Sequence, residues 1–87
     1  MQDLSVGQIV ISTAGRDKDY KFVVLCIIDD QYVYISDGDI RKLEKPKKKK
    51  VKHLKQLNYV AQAIKDKLDS KVKLSNSEVR KLLKSID

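Results

Sequence analysis

The chain has no tryptophan, one cysteine, one proline and three glycines in 87 residues. A single cysteine excludes an intramolecular disulfide framework and a zinc site built on several thiolates. The longest apolar run is seven residues, Phe22 to Ile28, far below the roughly 20 that a membrane-spanning helix needs. The length excludes a barrel enzyme with a deep pocket, because a domain this size hides only roughly 60–65% of its unfolded surface. No Gly-rich phosphate loop, Ser/His/Asp set or zinc ligand spacing is present. A non-enzyme without cofactor or metal is therefore expected. Met1-Gln2-Asp3-Leu4-Ser5 carries an acid and no basic n-region, so no secretory signal is read there and a cytoplasmic protein is expected.

What is abundant is positive charge, and it is concentrated. The formal net charge is +7. Residues 1–39 carry −4, residues 40–55 carry +8 and residues 56–87 carry +3. A basic segment beside an acidic body suggests a polyanion partner. Nucleic acid ranks first. An anionic membrane ranks well behind, because the segment lacks the Trp/Phe/Leu face of an interfacial helix. A solvated loop that only aids solubility is the bland alternative. The apolar share of 41% is too high for a disordered chain.

Hydrophobic patterning suggests a β module followed by helices. Residues 7–13 read as a first strand, with Ile9 and Ile11 on one face. Residues 20–29 read as a second strand, apolar on both faces, with Cys26 as a buried small hydrophobe. Two-sided burial implies a barrel interior on one side and a cover on the other. Residues 31–36 form a third strand in a hairpin with the second, placing Val33/Ile35 and Tyr32/Tyr34 on opposite faces. Residues 40–44 and 51–57 read as short fourth and fifth strands, with the Lys-rich connector around Pro46 between them. Asp37 and Asp39 bracket Gly38 as a turn rather than as an acid pair. Five short strands in about fifty residues match a small, strongly bent SH3-like barrel. The expected fold is mainly β: a five-stranded SH3-like barrel over 1–57, with a Lys-rich loop at 45–52, and a helical hairpin over 58–87. Val60, Ala61, Ile64 and Leu68 mark the first helix, which is expected to cover the spare face of the second strand. Ser75-Asn76-Ser77-Glu78 reads as a capping box, followed by Val79, Leu82, Leu83 and Ile86.

The stretch from Val6 to Lys18, followed by Phe22-Val23-Val24, resembles a KOW motif. Tyr32 to Lys42, Lys45 to Leu54 and Asn76 to Lys81 resemble the continuation in bacterial KOW-domain RNA-binding proteins. Those are similar to a KOW-barrel protein of the archaeal and eukaryotic large ribosomal subunit. The resemblance covers nearly the whole chain. It departs at Asp19, where KOW loops usually carry a glycine. Glycine takes positive φ there more easily than Asp does, and Asp19 adds a negative charge to a loop that the family uses on RNA. The resemblance implies a KOW barrel that contacts ribosomal RNA, with ribosomal proteins as further neighbours and translation as the setting.

The residues reach the same reading independently. Arg41, Lys42, Lys45, Lys47, Lys48, Lys49, Lys50, Lys52 and Lys55 are placed to neutralise phosphates. With roughly six paired at once, the log–log salt slope is expected at about −4 to −5. Arg16, Lys18 and Lys21 flank the first loop, as phosphate contacts or as ordinary surface charges. Tyr20 is read as a stacking group or as packing at the barrel rim. Tyr32 and Tyr34 form either a ligand-binding pair or, as favoured here, a contact with the C-terminal helix. His53 adds an RNA contact in either charge state and has no partner residues for a metal. Two other readings stay open: an SH3-like protein–protein interaction module, and a nuclear DNA-associated protein using Pro46 to Lys52 as a basic nuclear signal.

Overall fold

Alternation of β-branched and other apolar residues produces three central strands, each able to bury side chains on both faces. A computed structural model describes residues 4–86. The start at residues 1–3, used above to look for a targeting signal, lies outside the described residues. The strands are β1 (Gln8–Ser12), β2 (Lys21–Ile27), β3 (Tyr32–Ser36), β4 (Lys47–Lys50) and β5 (Leu54–Val60). A short 3-10 turn, Val51–His53, joins β4 to β5, and the helices are α1 (Gln62–Asp69) and α2 (Asn76–Lys84). The sheet is antiparallel in the order β4-β3-β2-β1-β5. The mainly β class, the five strands and the two C-terminal helices agree with the sequence reading.

Three expectations are corrected. Residues 40–44 are not a strand, because their backbone is used elsewhere. The Asp37 carboxylate accepts from the N–H of Asp39 at 2.9 Å and of Arg41 at 2.8 Å, and Leu43 N–H donates to Asn76 Oδ1 at 2.8 Å. The fourth strand is instead the lysine run itself, paired with β3 from Ile35↔Lys47 to Tyr32↔Lys50. Finally, the sheet is open rather than closed: among the described residues no ladder joins β4 to β5. The chain leaves Val51–His53 along β1, where Ser12 pairs with Leu54 and Gln8 with Val60, instead of folding back along β4. The two edges are still tied, since only the 3-10 turn separates Lys50 from Leu54.

Each sheet face carries its own core. Val10, Phe22, Val24, Val33, Ile35 and Leu54 form one cluster on the concave side, with Leu4 and Val51 packed against it. Ile9 and Val23 form the other with Ala61 and Ile64 of the α1 region and Val79 of α2. Leu25, Leu43, Leu57, Leu68, Leu82, Leu83 and Ile86 surround that second cluster. Each fully buried Val, Ile or Phe contributes about 1.5–3 kcal/mol, so the helices stabilise the sheet face that would otherwise be wet. Both helices form this cover, where the sequence pointed to α1 alone. Strand β5 runs to Val60 and α1 begins at Gln62, so Val60, read as the first helical position, closes the last strand instead.

The capping box forms as read. The Ser75 hydroxyl accepts from Glu78 N–H at 3.1 Å, and the Glu78 carboxylate accepts from Ser75 N–H at 3.3 Å. Lys67 of α1 pairs with the same Glu78 and, by its hydrogen bond, holds that carboxyl below its ordinary range. Helix α2 is further fixed by Arg80, which donates to Gly38 O at 2.7 Å. Gly38 has φ +75, and a Cβ there would lie 2.4 Å from Asn76 O. Replacing Gly38 by Ala therefore combines backbone strain with a backbone clash. We expect Gly38→Ala to lower unfolding free energy by about 2 kcal/mol or more, read as a lower midpoint in urea with an unchanged slope.

Candidate nucleic-acid interface

A run of four lysines has no apolar alternation, yet it forms a strand because its aliphatic stems cover core while its ammonium groups find water or partners. Register decides which lysine does which. Lys47 and Lys49 lie opposite Ile35 and Val33 and share their inward face. Lys48 and Lys50 lie opposite Tyr34 and Tyr32 on the outward face. Lys49 is only 7% exposed. A buried ammonium needs a counter-charge and hydrogen bonds. It has both, donating to Asp17 Oδ1 at 2.9 Å and to Ala14 O at 2.9 Å.

Asp17 is the centre of this network. It sits in the β1–β2 loop, 5% exposed. Its Oδ1 also accepts from the Ser12 hydroxyl at 2.7 Å, and Lys47 Nζ lies 3.6 Å from Oδ2. Oδ2 is buried with no hydrogen bond of its own, so Lys47 balances it by charge alone. Burial pushes the Asp17 carboxyl up, but the Ser12 hydroxyl and the Lys49 and Lys47 ammonium groups outweigh it and hold the carboxyl below its ordinary value. The loop is also tied to the 3-10 turn, with Thr13 N–H donating to His53 O at 2.9 Å.

These bonds bring the basic residues of three segments to one end of the sheet. Arg16 and Lys18 are exposed on the loop, Lys47 is half-buried on β4, Lys52 is exposed and His53 half-buried on the turn. Lys55 follows, exposed, on β5. Tyr20 is 47% exposed at the loop's end, which leaves its ring open rather than packed under the rim. Lys48 is exposed and Lys50 half-buried on the outward face. The others are set apart. Lys21 donates to Ile86 O, turning its charge toward α2. There it lines a small open cleft of about 240 Å³ with Asp37, Asp39, Arg80, Leu83 and Lys84. Arg41, Lys42 and Lys45 belong to the β3–β4 connector. Arg41 is half-buried, with its Nε buried and unpartnered, while Lys42 and Lys45 are exposed.

Two side chains differ from their sequence readings. Cys26 is exposed, not buried, because the register between β2 and β3 shifts between Val24 and Cys26 and carries the strand end away from the core. Tyr34 is 37% exposed and is not covered by the helices as the sequence suggested. Tyr32 is half-buried, with Lys48 Nζ 4.7 Å from its ring centroid. The buried role of Asp17 was missed by the sequence reading, which gave that residue no role of its own. Asp19, by contrast, adopts φ 74, the left-handed conformation that a glycine would supply there. No family model matches the chain.

Removing the Asp17 charge leaves Lys49 buried without a counter-ion, and breaking one side of such a pair costs about 3–5 kcal/mol. Asp17→Asn is therefore expected to remove most of the stability of so small a domain. The double variant Asp17→Asn with Lys49→Met should recover a large part of it, both read by chemical denaturation. A carboxyl held low in the folded state adds stability that is present above its unfolded value near 4 and is lost as pH falls through the lower folded value. Thermal melts should thus show stability falling below about pH 4. In the Asp17→Asn/Lys49→Met variant that decline should be shallower.

Proposed function

We propose that this chain is an RNA-binding protein that grips phosphates through the β1–β2 loop, β4 and the 3-10 turn, on a curled sheet of SH3-like, KOW type. The observation that carries the reading is the convergence of Arg16, Lys18, Lys47, Lys52 and His53 at one end of the sheet, with Lys48, Lys50 and Lys55 around them. That convergence depends on the loop being fastened to β4 through Asp17. Residues 45–55 include no acid, so the field at this end is of one sign and suits a polyanion. The internal acid–base pair supports the same reading, since it gives the surrounding cations fixed positions before any ligand arrives. The tie between the two sheet edges supports the barrel relationship. The glycine-like backbone at Asp19 supports the KOW likeness, because the loop keeps the family's turn despite the changed residue. Ribosomal RNA is the leading target, reached in the cytoplasm as part of translation. Phosphate contacts of this kind position RNA without reading its sequence.

Lys49 is spent internally and Lys47 is shared with Asp17, which leaves Arg16, Lys18, Lys48, Lys50, Lys52 and Lys55, of which about five are taken to pair with phosphates at once. The expected salt slope is then about −3.5 to −4.5. Charge reversal at Lys48, Lys50 and Lys52 to Glu should weaken RNA binding at least about a hundredfold in low salt with an unchanged circular dichroism spectrum. In cell extracts the tagged wild-type protein should sediment with the large ribosomal subunit and leave it on ribonuclease treatment. Unchanged affinity in the triple variant removes the reading.

A further inference from the structure

We propose that the outward face of β3 and β4 holds unpaired nucleotides of a single-stranded RNA segment, with Tyr34 as stacking platform and Lys48 and Lys50 as phosphate contacts. The proposal rests on the RNA reading above and names the kind of RNA that this surface takes.

Directly opposed residues of an antiparallel ladder share a face. Cys26, Tyr34 and Lys48 therefore form one row across three strands, and Tyr32 and Lys50 form the next. This face is opposite to the one that Val33 and Ile35 bury in the concave core. Lys48 stands over the Tyr32 ring, so one face of that ring is already held by a cation. Tyr34 is the open ring. Its neighbour on β2 is the small, exposed Cys26, which leaves that flank clear, and its neighbour on β4 is a cation. Of the acids flanking β3, Asp37 accepts from the N–H groups of Asp39 and Arg41 at 2.9 and 2.8 Å and Asp29 from those of Gln31 and Tyr32 at 2.8 Å each, while Asp30 is exposed in the hairpin turn.

An open aromatic ring beside fixed ammonium groups has the elements of a single-strand site: a π surface for a base and charge for its phosphate. A duplex shows its edges and backbone, while its base faces are stacked on one another, so it cannot use the ring. An acidic peptide would match the lysines but has no use for the exposed ring.

Cys26 is the chain's sole cysteine and adjoins Tyr34, so it reports occupancy directly. The full chain is treated with iodoacetamide alone and with saturating RNA of about 12 nucleotides. One sample has the single strand, one has a duplex of equal length, and one has oligo-glutamate at the same concentration. Binding is followed in parallel by fluorescence anisotropy. Single-stranded RNA should slow alkylation at least about tenfold, while the duplex and the peptide change it less than about twofold. Tyr34→Leu should weaken single-strand binding by about tenfold and leave duplex binding within about twofold. Lys48→Gln should lower the single-strand salt slope by about 0.7, giving a second readout if Tyr34→Leu is poorly folded. RNA that binds without protecting Cys26 overturns this site and leaves the RNA reading standing. Absence of binding by either RNA removes both. Protection by oligo-glutamate overturns the proposal in favour of an acidic protein partner.

Discussion

One buried carboxylate organises this protein. Asp17 accepts from Ser12 and Lys49 and lies beside Lys47, thereby joining the β1–β2 loop to the far edge of the sheet. Among the described residues strand β4 pairs only with β3, and its side chains are all lysines, so little of its hold on the core comes from apolar packing. The ion pair holds its inward face. Remove the Asp17 charge and Lys49 becomes a desolvated, unpaired ion, which is far more costly than a surface pair is worth. The placement of the loop against β4 follows from satisfying this pair.

The arrangement separates two uses of the same residue type. Lys49 is an internal strut, while Lys48 and Lys50, one position either side, face out. A basic tail would have to lose chain entropy before meeting a polyanion. Here the backbone of the lysine run is already ordered by the ladder to β3, so much of that cost is met in folding. On the same face of the sheet, over β1 and β2, the helices act as a lid, and the Lys67–Glu78 pair links the end of α1 to the capping box of α2. The molecule thus has one face stabilised by helices and one end and edge left to cations.

The central strands and the second helix were legible because they obey simple periodicities. Phe22/Val24 and Val23/Leu25 do go to opposite clusters, and Ser75 and Glu78 cap α2 as their spacing implied. The fourth strand was misplaced because Ile40, 59% exposed, and its neighbours have the apolar content of a short strand while Asp37 and Asn76 take up their backbone N–H groups. Strand β4 was unreadable for the opposite reason, since four identical polar residues carry no period-2 signal. Cys26 follows a register shift that alternation alone cannot reveal. The basic segments of the candidate site were visible as charge. The selection among them was not, because it depends on Asp17, whose loop composition resembles that of any solvated turn.

A repeat of identical residues is also degenerate in translation. Sliding β4 by one or two positions along β3 would present lysines to lysine positions, so side-chain identity within the run cannot define its alignment. What breaks the degeneracy lies at its ends and across from it: Pro46 before it, which lacks an N–H to donate, Val51 after it, whose N–H is taken by Gln31 O at 2.8 Å, and Asp17 opposite, which accepts one ammonium at the buried position. A shift by one would turn Lys48 or Lys50 toward that carboxylate and bury a different charge, leaving Lys49 on the surface. The single acid thus acts as a positional index for a stretch of chain that carries no address of its own.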